Sequence, residues 1–152
     1  MDNGSTANRR PTTAPPSERF TRRHGAKALV TSGRRVLLVR ERHADGSPFW
    51  TLPGGGVETH ETPREGLGRE LVEELRCGAH VGKPVTAFWY AHRSLGERVT
   101  RYTVFECSLR SAPTPNHAEG VFESRWVTSD SLPTGTLPQV RYICQSAAPA
   151  ED

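Results

Sequence analysis

Cysteine is scarce in this chain: its 152 residues include three, which are Cys77, Cys107 and Cys144. No two of them form a C-x-x-C pair, and their number is odd. This spacing argues against a structural zinc site and against a disulfide framework, because both need cysteines at paired spacings. A chain without such crosslinks fits a reducing compartment, and we expect a cytoplasmic location.

Long apolar runs are also missing. No stretch approaches the roughly 20 apolar residues that a membrane-spanning helix needs, and the N-terminus lacks the apolar segment of a signal peptide. We therefore expect no contact with a membrane. Charge is nearly balanced, with 20 basic and 17 acidic residues. The small basic excess favours an anionic ligand without separating nucleic acid from small phosphates.

The composition predicts one folded domain between two tails. Residues 1–21 are rich in Ser, Thr, Asn, Pro and Arg and offer little to bury, so we expect a disordered N-terminal tail. The domain is expected at residues 22–146, followed by a short tail at residues 147–152. Alternating apolar runs with two helical segments predict the α+β class.

Several runs have the alternation typical of strands. Two β runs are expected at Ala26–Thr31 and Arg35–Arg40, joined at residues 32–34. Residues 79–94 and 98–109 form a second predicted hairpin, with its turn at Leu95–Glu97. A further strand is expected within residues 121–127, and a last helix within residues 138–147.

A helix is predicted to begin at Pro63. Thr62 can cap the free amides, Pro63 is favoured in the first turn, and Glu65 completes a capping box. Gly68 lies among the apolar residues of this segment, and we expect it to let the helix approach a sheet closely. The helix is expected to run through Arg76 or Cys77 and to end at a left-handed Gly78.

The same helix carries an unusual concentration of acidic residues. Glu70, Glu73 and Glu74 stand at i, i+3 and i+4, a spacing that gathers three carboxylates on one face. Like charges at this spacing destabilise a helix. A solvated acidic face beside an ordinary turn is one interpretation. A cluster of oxygen ligands for Mg²⁺ or Mn²⁺ is the other, since these ions prefer octahedral oxygen coordination.

The order of these residues resembles the Nudix box, whose pattern is G-x5-E-x7-R-E-U-x-E-E-x-G-U with U a bulky aliphatic residue. The matching positions are Gly55, Glu61, Arg69, Glu70, Leu71, Glu73 and Glu74. Arg76 and Cys77 depart from it, because the pattern has glycine and an aliphatic residue there. The likeness extends over the flanking strands, from Arg22 to about Gln145.

The resemblance implies an α/β/α sandwich around a mixed β-sheet. It also implies hydrolysis of a nucleoside diphosphate linked to another group, with Mg²⁺ or Mn²⁺ as cofactor. The implied metal ligands are Glu70, Glu73, Glu74 and the backbone carbonyl of Gly54, and Arg69 by analogy orients a glutamate. The expected partner is a small nucleotide rather than a nucleic acid, and a homodimer is possible.

The general base stays open at this stage. Glu70 and Glu74 are candidates within the box, and Glu119 is a candidate in a later loop. Glu123 and His117 are its rivals.

Three further residues are candidates for substrate binding. Arg40 ends a strand and can reach a phosphate. Phe49 can stack on a base, because every base offers a π-face. The backbone of Gly55 can approach the ion or the substrate closely.

Two other classes of function compete with hydrolysis. A catalytically silent Nudix fold would bind a nucleotide or a protein as a regulatory module, and it would be favoured by a broken glutamate set. An isomerase on the same fold would need a reactive cysteine beside a glutamate, which the cysteine positions do not suggest. The sequence does not identify the group linked to the nucleoside diphosphate.

Overall fold

The computed structural model describes residues 21–92 and 98–146. The C-terminal tail, most of the N-terminal tail and the turn at Leu95–Glu97 lie outside these ranges. The strands are β1 (Thr21–Ser32), β2 (Arg35–Arg42), β3 (Pro48–Thr51), β4 (Gly54–Gly56), β5 (Ala79–His92), β6 (Arg98–Leu109) and β7 (Glu123–Thr128); the helices are α1 (Pro63–Leu75) and α2 (Pro138–Ser146). Neither helix has the length and apolar character that crossing a bilayer requires.

The strands form one mixed sheet in the order β3-β2-β1-β6-β5, with β4 also paired to β1 and β7 also paired to β2. Strands β1 and β6 run parallel, and the other pairs are antiparallel. Strands β1 and β2 pair only beside their turn, at Thr31–Val36 and Ser32–Arg35. Beyond that point the two halves of the sheet separate, and a cleft lies between them.

The two helices cover opposite faces of the sheet. Leu67, Leu71 and Leu75 of α1 pack with Ala28 and Val30 of β1 in one buried cluster. Val140, Ile143 and Cys144 of α2 pack with Leu29 in the other. Because successive side chains of a strand point to opposite faces, β1 is apolar on both sides where both helices cover it. The predicted α/β/α sandwich around a mixed sheet is confirmed.

Helix α1 begins as the sequence predicts. The backbone N–H of Glu65 donates to Thr62 Oγ1 at 3.1 Å, and the N–H of Thr62 donates to Glu65 Oε1 at 2.9 Å. Pro63 occupies the first turn, where its missing N–H costs nothing. The capping box is therefore complete, and it fixes where the acidic face of the helix starts.

The predicted end of the helix is wrong. Helix α1 ends at Leu75, and Arg76 itself is the left-handed cap, with φ 56° and ψ 35°. Gly78 has no positive φ and leads into β5. The Arg76 guanidinium donates to Asn116 Oδ1 at 3.1 Å, a contact that holds the cap against the loop before β7. Sequence reasoning gave the conformational cost of the cap too much weight and could not see this tertiary contact.

The expectation that Gly68 permits close packing is also wrong. A Cβ built at Gly68 meets nothing within 4 Å. The close approach falls two residues earlier, at Gly66. A Cβ there would lie 2.9 Å from Glu61 Oε1 and 3.2 Å from Val57 Cγ2.

Candidate active site

Arg69 is the centre of a network of ion pairs beside the glycine strand β4. Its guanidinium holds Glu61 through two hydrogen bonds, from Nε to Oε2 at 2.6 Å and from Nη2 to Oε1 at 2.9 Å. It also contacts Glu73 at 3.1 Å and Glu70 at 3.3 Å, and it donates to the carbonyl of Gly56 at 3.2 Å. Arg69 therefore joins the start of the box to its acidic helix, and the positioning role that the resemblance implies for it stays a prediction.

Glu61 matches the first glutamate of the box, but sequence reasoning gave it no role of its own. The hydrogen bonds from Arg69 lower the pKa of Glu61 to about 2, with help from the backbone contact to Glu58. Burial opposes this shift and is outweighed. The same pair raises the pKa of Arg69, so both groups stay charged over the whole neutral range.

Glu74 is the buried member of the acidic set, with 6% of its surface exposed. Its Oε1 accepts the backbone N–H of Gly54 at 3.0 Å, which joins the helix to the glycine strand. Burial is the main cause that raises the pKa of Glu74 well above its usual range, and the charge of Glu41 and a hydrogen bond that protonated Glu74 donates to Glu70 act in the same direction. A nearby cation would relieve this arrangement, because it would favour the charged form.

Only glycine fits at position 54 of this fold. Its φ is 130°, and a Cβ there would lie 2.2 Å from the carbonyl oxygen of Ala26 on β1. Its own carbonyl oxygen, which the resemblance makes a metal ligand, accepts a hydrogen bond from Lys27 Nζ at 3.0 Å. The close pairing of β4 with β1 is what brings these groups together.

Glu70 lies directly against Gly55. A Cβ at Gly55 would lie 2.8 Å from both Cδ and Oε1 of the Glu70 carboxylate. Glycine at this position therefore leaves the space that the carboxylate fills. In the structure, the missing side chain of Gly55 makes room for Glu70. Contact of Gly55 with the substrate stays a prediction.

The three glutamates share a face of α1 but do not point to one centre. Glu70 and Glu74 lie together against β4, whereas Glu73 turns to Arg69 and keeps 40% of its side chain exposed. Within residues 21–92 and 98–146 no three acidic, histidine or cysteine side chains already form a metal-binding group. The donor set still fits Mg²⁺ or Mn²⁺, because it is made of carboxylate and carbonyl oxygens that repel one another until a cation joins them.

The predicted substrate residues divide between two places. Phe49 is buried at the wall of the cleft, where its ring stacks on His43 at 4.1 Å between centroids. Arg40 instead pairs with Glu123 at 3.2 Å and stands over Phe122, away from the residues that line the cleft. Binding of phosphate by Arg40 stays a prediction, and it would require the pair with Glu123 to open.

The loop candidates for a general base differ in their contacts. Glu119 has an exposed side chain on the short 3₁₀ turn His117–Glu119. Asn116 anchors this turn to the end of α1, since its Nδ2 donates to Glu73 O and its N–H to Glu74 O, both at 2.9 Å. The pKa of Glu123 is lowered by hydrogen bonds from Arg125 and Arg40, which makes it a poor proton acceptor.

Sequence reasoning missed two opposite charges that line the cleft, the buried Lys27 on β1 and the partly buried Glu41 on β2. Burial lowers the pKa of Lys27, but the facing Tyr102 and the carboxylates of Glu41 and Glu74 outweigh it and raise the pKa overall. Burial raises the pKa of Glu41, and the charge of Lys27 limits that rise. The one available signal was a lysine within the apolar run AKALV, in a chain that contains only two lysines.

Comparison with known proteins identifies the family. A family model for the NUDIX domain matches residues 21–145. The chain is 37% identical to the CTP pyrophosphohydrolase of Escherichia coli (strain K12) over 62 residues, which are 41% of this chain and 46% of that protein. It is 27% identical to the phosphatase NudJ of Escherichia coli O1:K1 / APEC over 112 residues, 72% and 71% of the two chains.

Solved structures give the same fold. The MutT NUDIX hydrolase from Burkholderia pseudomallei superposes with a TM-score of 0.70 at 21% identity, over 84% of this chain and 99% of that chain. The MutT protein from Methanosarcina mazei Go1 gives 0.69 at 22% identity, over 86% and 95%. The alignment to the E. coli CTP pyrophosphohydrolase spans about half of that relative. The family model spans nearly the whole described domain, and the chain therefore belongs to the Nudix family.

Proposed function

We propose that this protein is a metal-dependent hydrolase that cleaves the pyrophosphate linkage of a nucleoside diphosphate derivative. The substrates in view are nucleoside triphosphates, ADP-ribose and nucleotide sugars. The observation that carries the proposal is the complete glutamate and arginine set of the box, which hydrogen bonds hold against a glycine strand. Relatives named CTP pyrophosphohydrolase and RNA pyrophosphohydrolase support the same reaction class.

Glu70, Glu73, Glu74 and the carbonyl of Gly54 would hold Mg²⁺ or Mn²⁺ in this proposal. When bound, such an ion neutralises pyrophosphate charge and lowers the pKa of a coordinated water. Arg69 keeps Glu73 and Glu70 in place through its ion pairs, and Glu61 keeps the guanidinium in place in turn. Lys27 donates a hydrogen bond to the Gly54 carbonyl oxygen.

The candidate proton acceptors in this reaction are Glu70 and Glu74 of the box and Glu119 of the later loop. Glu74 is buried beside Glu70, and burial raises its pKa, so its carboxylate is a stronger base than that of an exposed glutamate. Glu119 stands on a turn whose anchor, Asn116, is bonded to the end of the acidic helix. Glu123 is held by two arginines and is not proposed.

The test is hydrolysis by the purified protein with Mg²⁺ against a panel of nucleotides, followed as phosphate and pyrophosphate release. Glu70→Gln, Glu73→Gln and Glu74→Gln are each expected to lower kcat by roughly a hundredfold or more while the fold persists. Glu106→Gln, an exposed carboxylate on β6, is the matched control and should leave kcat unchanged. Nucleotide binding without turnover in the unmodified protein would contradict hydrolysis and favour a silent binding module.

A further inference from the structure

Three basic side chains stand at the exposed end of the cleft, on the wall formed by β1, β6 and β5. They are Arg23, Arg98 and His92. His92 lines the cleft, lies opposite Arg98 in the pairing of β5 with β6, and has its Nε2 2.8 Å from Thr100 Oγ1. Arg23 lies beside Thr100 in the pairing of β1 with β6. Because paired residues of neighbouring strands share a face, all three side chains belong to this wall.

Contacts further along the same strands confirm which face this is. Lys27 of β1 lines the cleft and stands over the ring of Tyr102 of β6, 4.7 Å from its centroid. Residues an even number of positions apart on a strand share a face. Arg23 therefore projects on the side of Lys27, and Arg98 projects on the side of Thr100 and Tyr102.

The guanidinium of Arg23 reaches the glycine strand β4. A Cβ built on Gly56 would lie 2.9 Å from Arg23 Nη2, so the guanidinium fills the space that a side chain at position 56 would take. The carbonyl oxygen of Gly56 accepts a hydrogen bond from Arg69 at 3.2 Å. Gly56 therefore adjoins two guanidinium groups, and the Glu70 carboxylate lies one residue away, against Gly55.

The two guanidinium groups differ in how their charge is balanced. Arg69 forms ion pairs with four carboxylates. In the part of the chain that the structure describes, no ion pair involves Arg23 or Arg98. Burial lowers the pKa of His92, and the charges of Arg98 and Arg23 lower it further. This end of the cleft therefore carries an excess of positive charge that attracts an anion.

We infer that Arg23, with Arg98 and His92 beside it, forms a subsite for the terminal phosphate of a nucleoside triphosphate. Guanidinium groups suit this ligand, because their N–H donors can pair with two phosphate oxygens at once. The subsite acts by binding that phosphate and adds no chemical step.

The inference rests on the proposed function, because it names the substrate class of the same site. Nucleoside triphosphates end in a phosphate, whereas ADP-ribose and nucleotide sugars such as ADP-glucose end in a neutral sugar. The subsite therefore predicts that this protein prefers nucleoside triphosphates to the other two substrate types.

The first test compares kcat/KM for ATP, ADP-ribose and ADP-glucose in the presence of Mg²⁺. These compounds share adenosine and two phosphates, so the comparison isolates the group at the far end. ATP should exceed each of the others by about tenfold or more, which is the effect of one charged hydrogen bond.

The variant Arg23→Gln removes the charge and leaves a chain that can still lie over Gly56. It should lower kcat/KM for ATP by about tenfold and leave kcat/KM for ADP-ribose nearly unchanged. Arg101→Gln is the matched control, because it removes the same charge from β6 on the other face of the sheet, where Arg101 pairs with Trp89 and donates to Thr103. This control should leave the ratio of ATP to ADP-ribose unchanged.

A second measurement does not depend on turnover. Calorimetry with Mg²⁺ compares the binding of α,β-methylene-ATP and α,β-methylene-ADP, which differ only in the terminal phosphate. The triphosphate analogue should bind about tenfold more tightly, and Arg23→Gln should remove most of that difference. Arg98→Gln, at a second exposed position, should reduce the difference as well.

Three results would overturn the subsite. One is equal kcat/KM for ATP and ADP-ribose in the unmodified protein, and another is equal affinity for the two methylene analogues. The third is an equal loss of ATP preference in Arg23→Gln and Arg101→Gln, which would assign the effect to overall charge.

The same measurements separate the subsite from the proposed function. A protein that binds α,β-methylene-ATP through Arg23 but hydrolyses nothing would keep the subsite and refute the hydrolase. A hydrolase that prefers ADP-ribose to ATP would keep the proposed function and refute the subsite.

Discussion

The carboxylate of Glu70 packs directly against Gly55, which has no side chain. Gly55 does not have a positive φ, so an alanine there would cause little backbone strain. The added methyl would instead lie 2.8 Å from the Glu70 carboxylate, which is the free end of a flexible side chain and can move away. Position 55 therefore affects the site more than it affects the fold.

Gly55→Ala is expected to lower kcat by tens of fold or more while the melting temperature changes little. Gly68→Ala is the matched control on the helix, because its Cβ meets nothing within 4 Å. That control should stabilise the fold by about 0.5–1 kcal/mol and leave kcat unchanged. Thermal unfolding and steady-state hydrolysis measure both effects. A Gly55→Ala protein with normal turnover would show that the position of Glu70 is not critical.

Single residues also show where sequence reasoning stopped. The pattern found Arg69 and the three glutamates because their spacing along one helix is visible in the sequence. Lys27 and Glu41 line one cleft because β1 and β2 separate beyond their turn, and that divergence leaves no mark on the strand pattern. The ion pair between Glu73 and Arg69 could not be predicted either, since spacing along the helix sets which face a residue is on but not where its side chain points.

At the scale of helices and strands, features set by neighbouring residues in the sequence were predictable. Features set by contacts with distant parts of the chain were not. The capping box of α1 is local, and it was read correctly from Thr62 and Glu65. Strand β4 was missed, because three glycines carry no β propensity and pair with β1 only through the fold. The end of α1 failed for the same reason, since Asn116 lies forty residues beyond Arg76.

Replacing the left-handed cap tests this account of the helix end. Arg76→Gly should stabilise the fold by up to about 1 kcal/mol, because glycine adopts positive φ without a steric cost. The lost hydrogen bond to Asn116 reduces that gain. Gly78→Ala should be nearly neutral, since its Cβ would meet only Arg110 Cδ at an ordinary 3.6 Å. Denaturant unfolding of both variants measures these changes in stability. A large loss of stability in Gly78→Ala would show that Gly78, rather than Arg76, is the left-handed cap.

At the scale of the whole molecule, divalent metal and stability should be linked. A ligand that binds only the folded state stabilises it by mass action, by about 2.7 kcal/mol at a hundred times its Kd. Mg²⁺ should therefore raise the melting temperature of the unmodified protein, and raise it less in Glu73→Gln and Glu74→Gln. Without metal, Glu74→Gln should be at least as stable as the parent, because it removes a buried acid among other acids. If Mg²⁺ raised the melting temperatures of all three proteins equally, Glu73 and Glu74 would be excluded as metal ligands.

Acid should weaken the molecule through Glu61. The pKa of this carboxyl falls from 4.5 to about 2 in the folded state, so its stabilising effect is complete above pH 4.5 and is lost as the pH falls towards 2. Glu61→Gln removes that dependence. Urea midpoints measured across this window should fall less steeply for Glu61→Gln than for the parent and for the Glu106→Gln control. Parallel slopes would mean that the pair with Arg69 persists in the unfolded chain.

The left-handed Arg76 also has a consequence for the gene. Every arginine codon lies one base change from a glycine codon, so the family's usual residue at this position is within reach of a single mutation. In a random-mutagenesis library selected for survival after heating, Arg76→Gly is therefore expected among the early survivors. Its persistence as arginine in a lineage under thermal selection would indicate that the link to Asn116 is worth more to the organism than a relaxed backbone.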